Sequence, residues 1–323
     1  MTVKEKITEL FELNRGKYLS GAEIARKLEC TRGAVWKAVK ALQDEGYEIT
    51  ASTNKGYRLE ENTDVITAEG IKKYLDAPEK FDLHIFKTVD STNTRLKEIA
   101  VSGAAEGTVV ISGEQTGGKG RLGRSFFSPS DTGLYMSVLL RPRMSASEAI
   151  KITTAAAVAV AETIERLSGK QTRIKWVNDV YLENKKICGI LTEASFGLEN
   201  GGLEYAVLGI GVNAYEPDGG FPENVRDIAG SVFPQRIRDM RSRLAAGILN
   251  GFMKRYLDLS DPACCEDYRN RLMWRGERIS IISGAGAVPA VLKDTDTDYR
   301  LIVEYPDGSI GKISSGEISI RKA

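Results

Sequence analysis

A short glycine-rich stretch with three cations is the first feature of this sequence that could do chemistry. Residues 113–124 read GEQTGGKGRLGR. Gly113, Gly118 and Lys119 match the phosphate-binding pattern G-x-x-x-x-G-K-[ST], but Gly120 stands where that pattern has its hydroxyl residue. Glycines let a backbone approach a ligand closely, and backbone N–H groups with guanidinium groups suit phosphate and carboxylate oxygens. The stretch therefore predicts an anion-binding loop without the hydrolytic chemistry of a P-loop.

The rest of the chain lacks the groups that most other catalytic mechanisms need. His84 is the single histidine and lies in strand-like sequence, and there is no G-x-S-x-G elbow or dinucleotide fingerprint. Cysteines occur at 30, 188, 264 and 265. They have no C-x-x-C spacing, which indicates reduced thiols and no zinc site. One reaction that needs cations and no catalytic base is the adenylation of a carboxylic acid, because the carboxylate itself is the nucleophile.

Five blocks of the sequence, in the same order along the chain, resemble the motifs of biotin protein ligases. They read DSTN at 90–93, GGKGRLGR at 117–124, KWVND at 175–179, KKICGILTE at 185–193 and GIGVN at 209–213. With the N-terminal residues described below, the resemblance covers nearly the whole chain and is to the bifunctional class, ligase and biotin-operon repressor in one. Two positions depart from the family pattern. Lys119 replaces an arginine and loses its bidentate fork, and Val177 replaces a proline.

The resemblance implies which residues hold the two substrates. Biotin would be bound by Ser91, Thr92, Asn93, Gln115, Lys119, Gly120, Arg121, Lys186 and Gly189. ATP would be bound by Gly118, Arg121, Arg124, Asn178, Asp179 and Lys186, with Mg²⁺ near Asn178 and Asp179. Arg121 and Lys186 would also act in catalysis, because they would neutralise the biotin carboxylate and the α-phosphate as these come together.

Several of these positions also have a purely structural interpretation. Lys186 could be an ordinary lysine at a polar hairpin tip. Thr92 and Asn93 could cap a helix, and GIGVN could be a buried strand that packs tightly at its glycines. Trp176 and Phe126 are expected to pack in the core or at its rim.

The N-terminal residues have the order of a winged helix-turn-helix. The apolar spacing predicts three helices, the second capped by Ser20 and the third by Thr31, and then a hairpin around TNKG. Residues 26–40 carry five cations and one acid, in a chain whose net charge is +1. This local charge predicts DNA binding, with a helical protein-interaction domain as the alternative. The predicted DNA contacts are Thr31, Arg32, Lys37 and Lys40.

The whole pattern predicts an α+β fold with three domains. Residues 1–62 would form the winged helix-turn-helix DNA-binding domain. Residues 63–270 would form a mixed α/β catalytic domain on a largely antiparallel sheet, packed against an alanine-rich helix from Ser147 to Leu167 with Gly169 as its C-cap. The strand pattern of residues 271–323 predicts a small all-β barrel or sandwich, for which the family resemblance implies an SH3-like β-barrel.

The resemblance implies an ATP-dependent ligase that forms biotinoyl-5′-AMP and transfers biotin to a lysine of a biotin carboxyl carrier protein. The adenylate would also make the protein a repressor, as a homodimer on two-fold operator DNA. A lipoate or octanoate ligase, and a ligand-sensing transcription factor without turnover, are the alternatives. The charged N-terminus and the lack of an apolar run of about 18 residues predict a cytoplasmic protein with no membrane partner.

Overall fold

The computed structural model of this protein describes residues 2–44, 46–61, 63–145, 148–196, 203–283, 286–314 and 319–322. They fall into two units, Met1–Pro78 with Gln235–Ala246, and Glu79–Pro234 with Gly247–Ala323. The first unit thus extends beyond the winged helix and includes a segment from much later in the chain. The three domain boundaries given above stay a prediction, and residue 62 lies outside the described ranges.

The first unit contains the winged helix-turn-helix. Its elements are α1 (Val3–Leu13), α2 (Gly21–Lys27), α3 (Arg32–Asp44), β1 (Ile49–Ser52), β2 (Gly56–Leu59) and α4 (Ala68–Lys72). Both predicted caps are present, since Ser20 Oγ accepts the N–H of Glu23 at 3.0 Å and Thr31 Oγ1 accepts that of Ala34 at 3.1 Å. The strands β1 and β2 pair antiparallel, as the hairpin prediction requires.

The core of this unit forms where the helices turn their apolar faces to one another. Val35, Val39 and Leu42 of α3 are buried at the predicted inward positions, together with Ile7 and Phe11 of α1. Because these positions recur at helical spacing, the opposite face of α3 is left to solvent.

Two buried ion pairs fix the segment Gln235–Ala246 within the first unit. Arg15 Nη2 lies 2.7 Å from Asp239 Oδ1, as an ion pair rather than an aligned hydrogen bond, and both side chains are 3% exposed. Arg241 Nε donates to Asp64 Oδ2 at 3.0 Å, again with both side chains buried. Since a buried charge is costly without its partner, these pairs make the late segment an integral part of the unit.

The second unit is built on two sheets. Its first elements are β3 (Asp82–Phe86), α5 (Thr92–Val101), β4 (Thr108–Ser112), β5 (Gly133–Leu140), α6 (Ala149–Ser168), β6 (Arg173–Lys175), β7 (Asp179–Leu182), β8 (Lys185–Phe196) and β9 (Leu203–Asn213). The seven strands form one sheet in the order β3-β4-β5-β9-β8-β7-β6. The strands β3 and β4 run parallel and the other neighbours antiparallel, which confirms the largely antiparallel sheet.

The alanine-rich helix α6 is buried as its composition predicts. Residues 155–161 are all buried, and Gly169 ends the helix in the left-handed conformation with φ of 72°. The helix begins at Ala149 in the structure, and the predicted first residue, Ser147, lies outside the described ranges.

The remaining elements complete the chain. They are α7 (Glu223–Arg226), α8 (Met240–Tyr256), α9 (Pro262–Arg271), β10 (Arg278–Ser283), β11 (Gly286–Thr295), β12 (Leu301–Glu304), β13 (Ile310–Ile313) and β14 (Ser319–Lys322). The last five strands form an antiparallel sheet in the order β13-β12-β11-β10-β14, which agrees with the predicted all-β C-terminal part. None of the helices within the described ranges has the length and apolar character needed to cross a membrane.

Candidate functional site

The five sequence blocks, which are far apart in the chain, meet around one cavity of about 260 Å³ in the second unit. Nearly all of the predicted substrate-binding residues line it: Ser91, Thr92, Asn93, Gln115, Lys119, Gly120, Arg121, Arg124, Asn178, Asp179, Lys186 and Gly189. Gly118 does not. It is a buried residue of the loop, and its carbonyl accepts the N–H of Phe126 at 2.8 Å.

The glycine-rich loop is a narrow hairpin. The Gly120 N–H donates to the Arg124 carbonyl at 2.7 Å, and a single 3₁₀ turn, Arg121–Gly123, forms the tip. Leu122 at the tip has a positive φ of 57° and a side chain that is 54% exposed. Leu122 therefore contributes apolar surface to the cavity lining.

Cations dominate the cavity wall. Among the lining residues that the structure describes, the charged ones are Lys119, Arg121, Arg124, Lys175 and Lys186, against the single carboxylate of Asp179. Lys186 Nζ lies 2.7 Å from Asp179 Oδ1, and Arg121 Nη1 donates to Asn178 Oδ1 at 3.1 Å. One carboxylate cannot balance five cations, so the cavity is electrostatically suited to a multiply charged anion.

Burial changes the pKa of two of these cations. It lowers the pKa of Arg121, although the charge of Asp179 acts in the opposite direction. It also lowers the pKa of Lys175, again against Asp179, and the neighbouring charge of Lys186 lowers it further. Both groups therefore gain when a negatively charged ligand enters the cavity.

Lys186 is not at the hairpin tip. The turn between β7 and β8 consists of Glu183 and Asn184, both with positive φ, and Lys186 is the second residue of β8. Its side chain is 27% exposed and turned to Asp179. The hairpin thus carries the lysine into the cavity rather than into solvent.

The DSTN block begins α5 and supplies polar groups to the cavity. Ser91 is the N-cap residue and makes no side-chain capping bond. Gln115 Oε1 accepts the backbone N–H of Thr92 at 2.9 Å, and Asn93 Nδ2 donates to Glu193 Oε2 at 2.7 Å. Thr92 and Asn93 are therefore the first helical residues rather than its caps, and their side chains contact other parts of the site.

The glycines of GIGVN leave room for these side chains. A Cβ at Gly209 would lie 2.3 Å from Asn93 Oδ1, and one at Gly211 would lie 2.5 Å from the Phe126 ring. The block is a buried strand with tight packing at its glycines, as the structural interpretation predicts. What packs there is a cavity-lining amide and a cavity-lining aromatic ring.

Hydrogen bonds to other parts of the second unit fix the position of the KWVND block. Trp176 is buried, as expected, and also lines the cavity, and its Nε1 donates to the Tyr299 carbonyl at 2.8 Å. The Tyr268 hydroxyl donates to the Val177 carbonyl at 3.2 Å. Asn178 Nδ2 donates to the Ile190 carbonyl at 2.8 Å, which fixes the oxygen that faces Arg121.

Sequence reasoning missed several residues of this site. Lys175 and Glu193 lie within the quoted blocks but were given no role. Ser137 is a fully buried hydroxyl in the apolar strand β5, and a lone polar residue in such a run was the available signal. Phe127 and Ile228 are exposed and line the cavity. No sequence pattern marked them as site residues, because chain segments far apart in sequence bring them to the cavity only when the protein folds.

The predicted DNA contacts lie on or beside α3. Arg32, Lys37 and Lys40 are exposed on the helix, whereas the Thr31 side chain caps it. Trp36 shares the exposed side and is 58% accessible, which the apolar spacing did not predict. A tryptophan so exposed beside cations is unusual for a solvated surface and typical of a contact residue.

Comparison with known proteins gives a family match in each of the two units. Residues 85–213 match the biotin/lipoate A/B protein ligase family, and residues 3–58 match an HTH domain. The chain is 36% identical over 330 residues to the bifunctional ligase/repressor BirA of Bacillus subtilis, which covers 99% of each chain. It is 28% identical over 336 residues to the bifunctional ligase/repressor BirA of Escherichia coli, covering 100% of this chain and 98% of that one.

A solved structure shares the fold. The biotin protein ligase from Aquifex aeolicus in complex with biotin and ATP superimposes with a TM-score of 0.63 at 26% identity, covering 75% of this chain and 99% of that one. The full-length identity to the ligase/repressors, the matching domain and the shared fold lead to one conclusion. This chain belongs to the biotin/lipoate A/B protein ligase family.

Proposed function

We propose that this protein is an ATP-dependent biotin protein ligase that also represses transcription by binding operator DNA. The observation that carries the proposal is the cavity itself, in which five cations and one carboxylate adjoin a set of neutral hydrogen-bonding groups. The cations suit the carboxylate and phosphates that react, and the neutral groups suit a ureido ring with N–H donors and a carbonyl. The full-length relatives named as bifunctional ligase/repressors support the same reading.

The first chemical step joins two anions. A biotin carboxylate oxygen attacks the α-phosphorus of ATP, the new O–P bond forms, and pyrophosphate leaves with the electron pair of the broken P–O bond. Arg121 and Lys186 would lower the repulsion between the carboxylate and the α-phosphate, and Lys119, Arg124 and Lys175 would hold the remaining phosphate charge. In the second step a carrier lysine amine attacks the acyl carbon, and AMP leaves.

Mg²⁺ would enter with ATP as part of the substrate. This ion keeps several waters and takes one or two carboxylates together with substrate phosphates, so it needs no cage of protein ligands. Asp179 is the only carboxylate among the described cavity-lining residues, which makes it, with the neighbouring Asn178, the residue that fits this role.

Isotope exchange between pyrophosphate and ATP tests the proposed function. We expect exchange that depends on biotin and that lipoate or octanoate does not support. Exchange with lipoate instead would favour the related acyl ligase, and no exchange with any of these acids would favour a ligand sensor without turnover.

Replacing Arg121 by glycine should weaken retention of the adenylate. A charge-assisted contact worth about 1.5–3 kcal/mol would be lost, so biotinoyl-AMP should dissociate about 10- to 150-fold faster. A chase experiment on preformed adenylate measures this rate. Arg95→Ala, which removes an exposed arginine paired with Glu98 on α5, is the control and should leave the rate unchanged. Equal rates for Arg121→Gly and the wild type would refute the role given to the loop.

The first unit would bind DNA through the exposed face of α3. Lys37→Ala should reduce the salt dependence of operator affinity by about 0.9 in the log–log slope, because one phosphate contact is lost. The probe is a duplex that the wild-type protein selects from a random library. Lys6→Ala on α1, also exposed, should keep the wild-type slope. A slope that Lys37→Ala does not change would place the contact elsewhere.

The remaining partners follow from this function. The acceptor of biotin would be a carboxyl carrier domain, and the protein would act in the cytoplasm. The repressor would be a homodimer, because two winged helices match the two halves of a two-fold operator. Sedimentation with and without biotin and ATP tests the dimer. Coupling of adenylate to DNA binding requires that the liganded protein associate more strongly than the free one.

A further inference from the structure

A continuous series of polar side chains runs next to the cavity and connects α5, β8 and β5. Lys97 Nζ lies 2.5 Å from Glu193 Oε1, and Glu193 Oε2 accepts an N–H of Asn93 at 2.7 Å. Ser137 Oγ then lies 2.6 Å from Asn93 Oδ1 and 2.7 Å from Thr92 Oγ1. Thr92 and Asn93 line the cavity, whereas Lys97, Glu193 and Ser137 stand behind them.

The series continues to the glycine-rich loop. Gln115 Oε1 accepts the Thr92 backbone N–H at 2.9 Å and lies 3.1 Å from Thr92 Oγ1. Gln115 Nε2 donates to Ser128 Oγ at 2.8 Å, and Ser128 donates to the Phe126 carbonyl at 3.0 Å. These contacts fix the Gln115 amide with its oxygen toward Thr92.

The Asn93 amide has a fixed orientation as well. Both partners of its nitrogen, the Glu193 carboxylate and the Leu191 carbonyl at 3.3 Å, can only accept. Burial alone would raise the pKa of Glu193, but the hydrogen bonds from Lys97 and Asn93 outweigh it and lower the pKa. Glu193 is therefore ionised, and Asn93 Oδ1 must face Ser137.

Counting protons shows what the series offers to a ligand. The three O···O contacts Ser137–Asn93, Ser137–Thr92 and Thr92–Gln115 share only two hydroxyl protons, since amide oxygens donate none. One of the three contacts must therefore lack a proton, and two oxygens without a proton between them repel each other more strongly the closer they lie. The protons therefore occupy the two shorter contacts, Ser137–Asn93 at 2.6 Å and Ser137–Thr92 at 2.7 Å. Ser137 then donates to Asn93, and Thr92 donates to Ser137. The 3.1 Å contact between Thr92 Oγ1 and Gln115 Oε1 is left without a proton.

We propose that Ser137 is a positioning residue that turns the Thr92 hydroxyl proton away from Gln115, so that Thr92 Oγ1 and Gln115 Oε1 together accept an N–H of the ligand. Glu193 and Lys97 assist by fixing Asn93. This inference rests on the proposed function and deepens it, because the ureido ring of biotin supplies N–H donors. A dithiolane or an alkyl chain supplies none and would leave both acceptors unsatisfied, which penalises its binding.

Steady-state pyrophosphate exchange with varied biotin tests the role of Ser137. In Ser137→Ala the Thr92 proton is free to turn to Gln115, so the KM for biotin should rise roughly tenfold, the worth of one hydrogen bond, with kcat within about twofold of the wild type. Thr108→Ala is the control. It removes another buried hydroxyl, bonded to the Ala105 carbonyl at 2.8 Å at the start of β4 and not among the cavity-lining residues, and should leave both constants unchanged.

A double-mutant cycle separates positioning from general loss of packing. If Ser137 acts through the Thr92 hydroxyl, then Ser137→Ala should no longer raise the KM in a Thr92→Val background. Glu193→Gln changes a partly exposed position and should raise the KM for biotin by about threefold. In the Thr92→Val background the same substitution should leave the KM unchanged. This variant takes the place of Ser137→Ala if the Ser137→Ala protein does not fold.

The outcomes distinguish this inference from the proposed function. A wild-type protein that does not exchange with biotin would overturn both. Biotin exchange with an unchanged KM in the variants, or with the same increase in the Thr92→Val background, would overturn the positioning role alone. So would an equal rise in KM for Thr108→Ala.

Discussion

Lys186→Gln should slow adenylate formation by about 10²- to 10³-fold, the usual loss when one preorganised donor to a developing charge is removed. The side chain is held 2.7 Å from Asp179 in the cavity, so its charge is in place before the substrates arrive. Glutamine keeps a polar group of similar length but removes that charge. It also leaves Asp179 to repel the carboxylate and phosphates that must approach.

Single-turnover formation of biotinoyl-AMP is the measurement, because it excludes the later transfer to the carrier. Lys185→Gln provides a matched control one residue earlier in the same hairpin. The Lys185 side chain is exposed, donates to the Arg226 and Asp227 carbonyls, and does not line the cavity. A Lys186→Gln protein that forms the adenylate at the wild-type rate but transfers it slowly would move this lysine to the second step.

Arg15→Met should destabilise the first unit by about 3 kcal/mol, near the lower end of the cost of breaking a buried ion pair. The substitution leaves Asp239 buried without the guanidinium that now lies 2.7 Å away. Lys73 and Arg238, at 3.6 Å and 3.8 Å from Asp239 Oδ2, would compensate in part. For the same reason a deletion that ends at residue 62 would remove Arg15 and retain Asp239, so it would not cleanly separate DNA binding from ligation.

Denaturant unfolding, with operator affinity as a second readout, measures this effect. The double variant Arg15→Met/Asp239→Asn should recover part of the loss, because the unpaired aspartate charge is removed while Glu12, the other carboxylate paired with Arg15 at 2.7 Å, remains without its partner. Lys40→Ala removes an exposed ion pair to Asp44 at 3.5 Å and should cost less than about 1 kcal/mol of unfolding free energy. It is a control for stability only, because Lys40 is itself a predicted DNA contact. Equal losses of unfolding free energy in Arg15→Met and Lys40→Ala would show that the late segment is not locked to the unit by this pair.

Local signals determined most of the elements in advance. Ser20 and Thr31 mark helix starts, Gly169 marks a helix end, and the buried positions of α3 and α6 follow from apolar spacing. These features depend on residues close in sequence, so the physics that fixes them can be read from a short window. An anion-binding loop was also predicted from a short window, because glycines and cations are concentrated in residues 113–124.

Tertiary structure alone decided which groups face one another. Nothing in the sequence places Ser137 between Thr92 and Asn93, since that contact depends on the pairing register of β5 with β9 and on the approach of α5 to the sheet. The pairing of Arg15 with Asp239 likewise joins residues separated by most of the chain.

The sequence by itself therefore determined the family blocks and the winged helix, and it predicted the anion-binding role of the loop. The fold decided that Lys186 is carried into the cavity and that the glycines of GIGVN make room for Asn93 and Phe126. It also decided that, among the described lining residues, five cations and one carboxylate face the same cavity. The physical reason is that electrostatics and proton direction act over a few ångströms in space, and those distances exist only once the strands are in register.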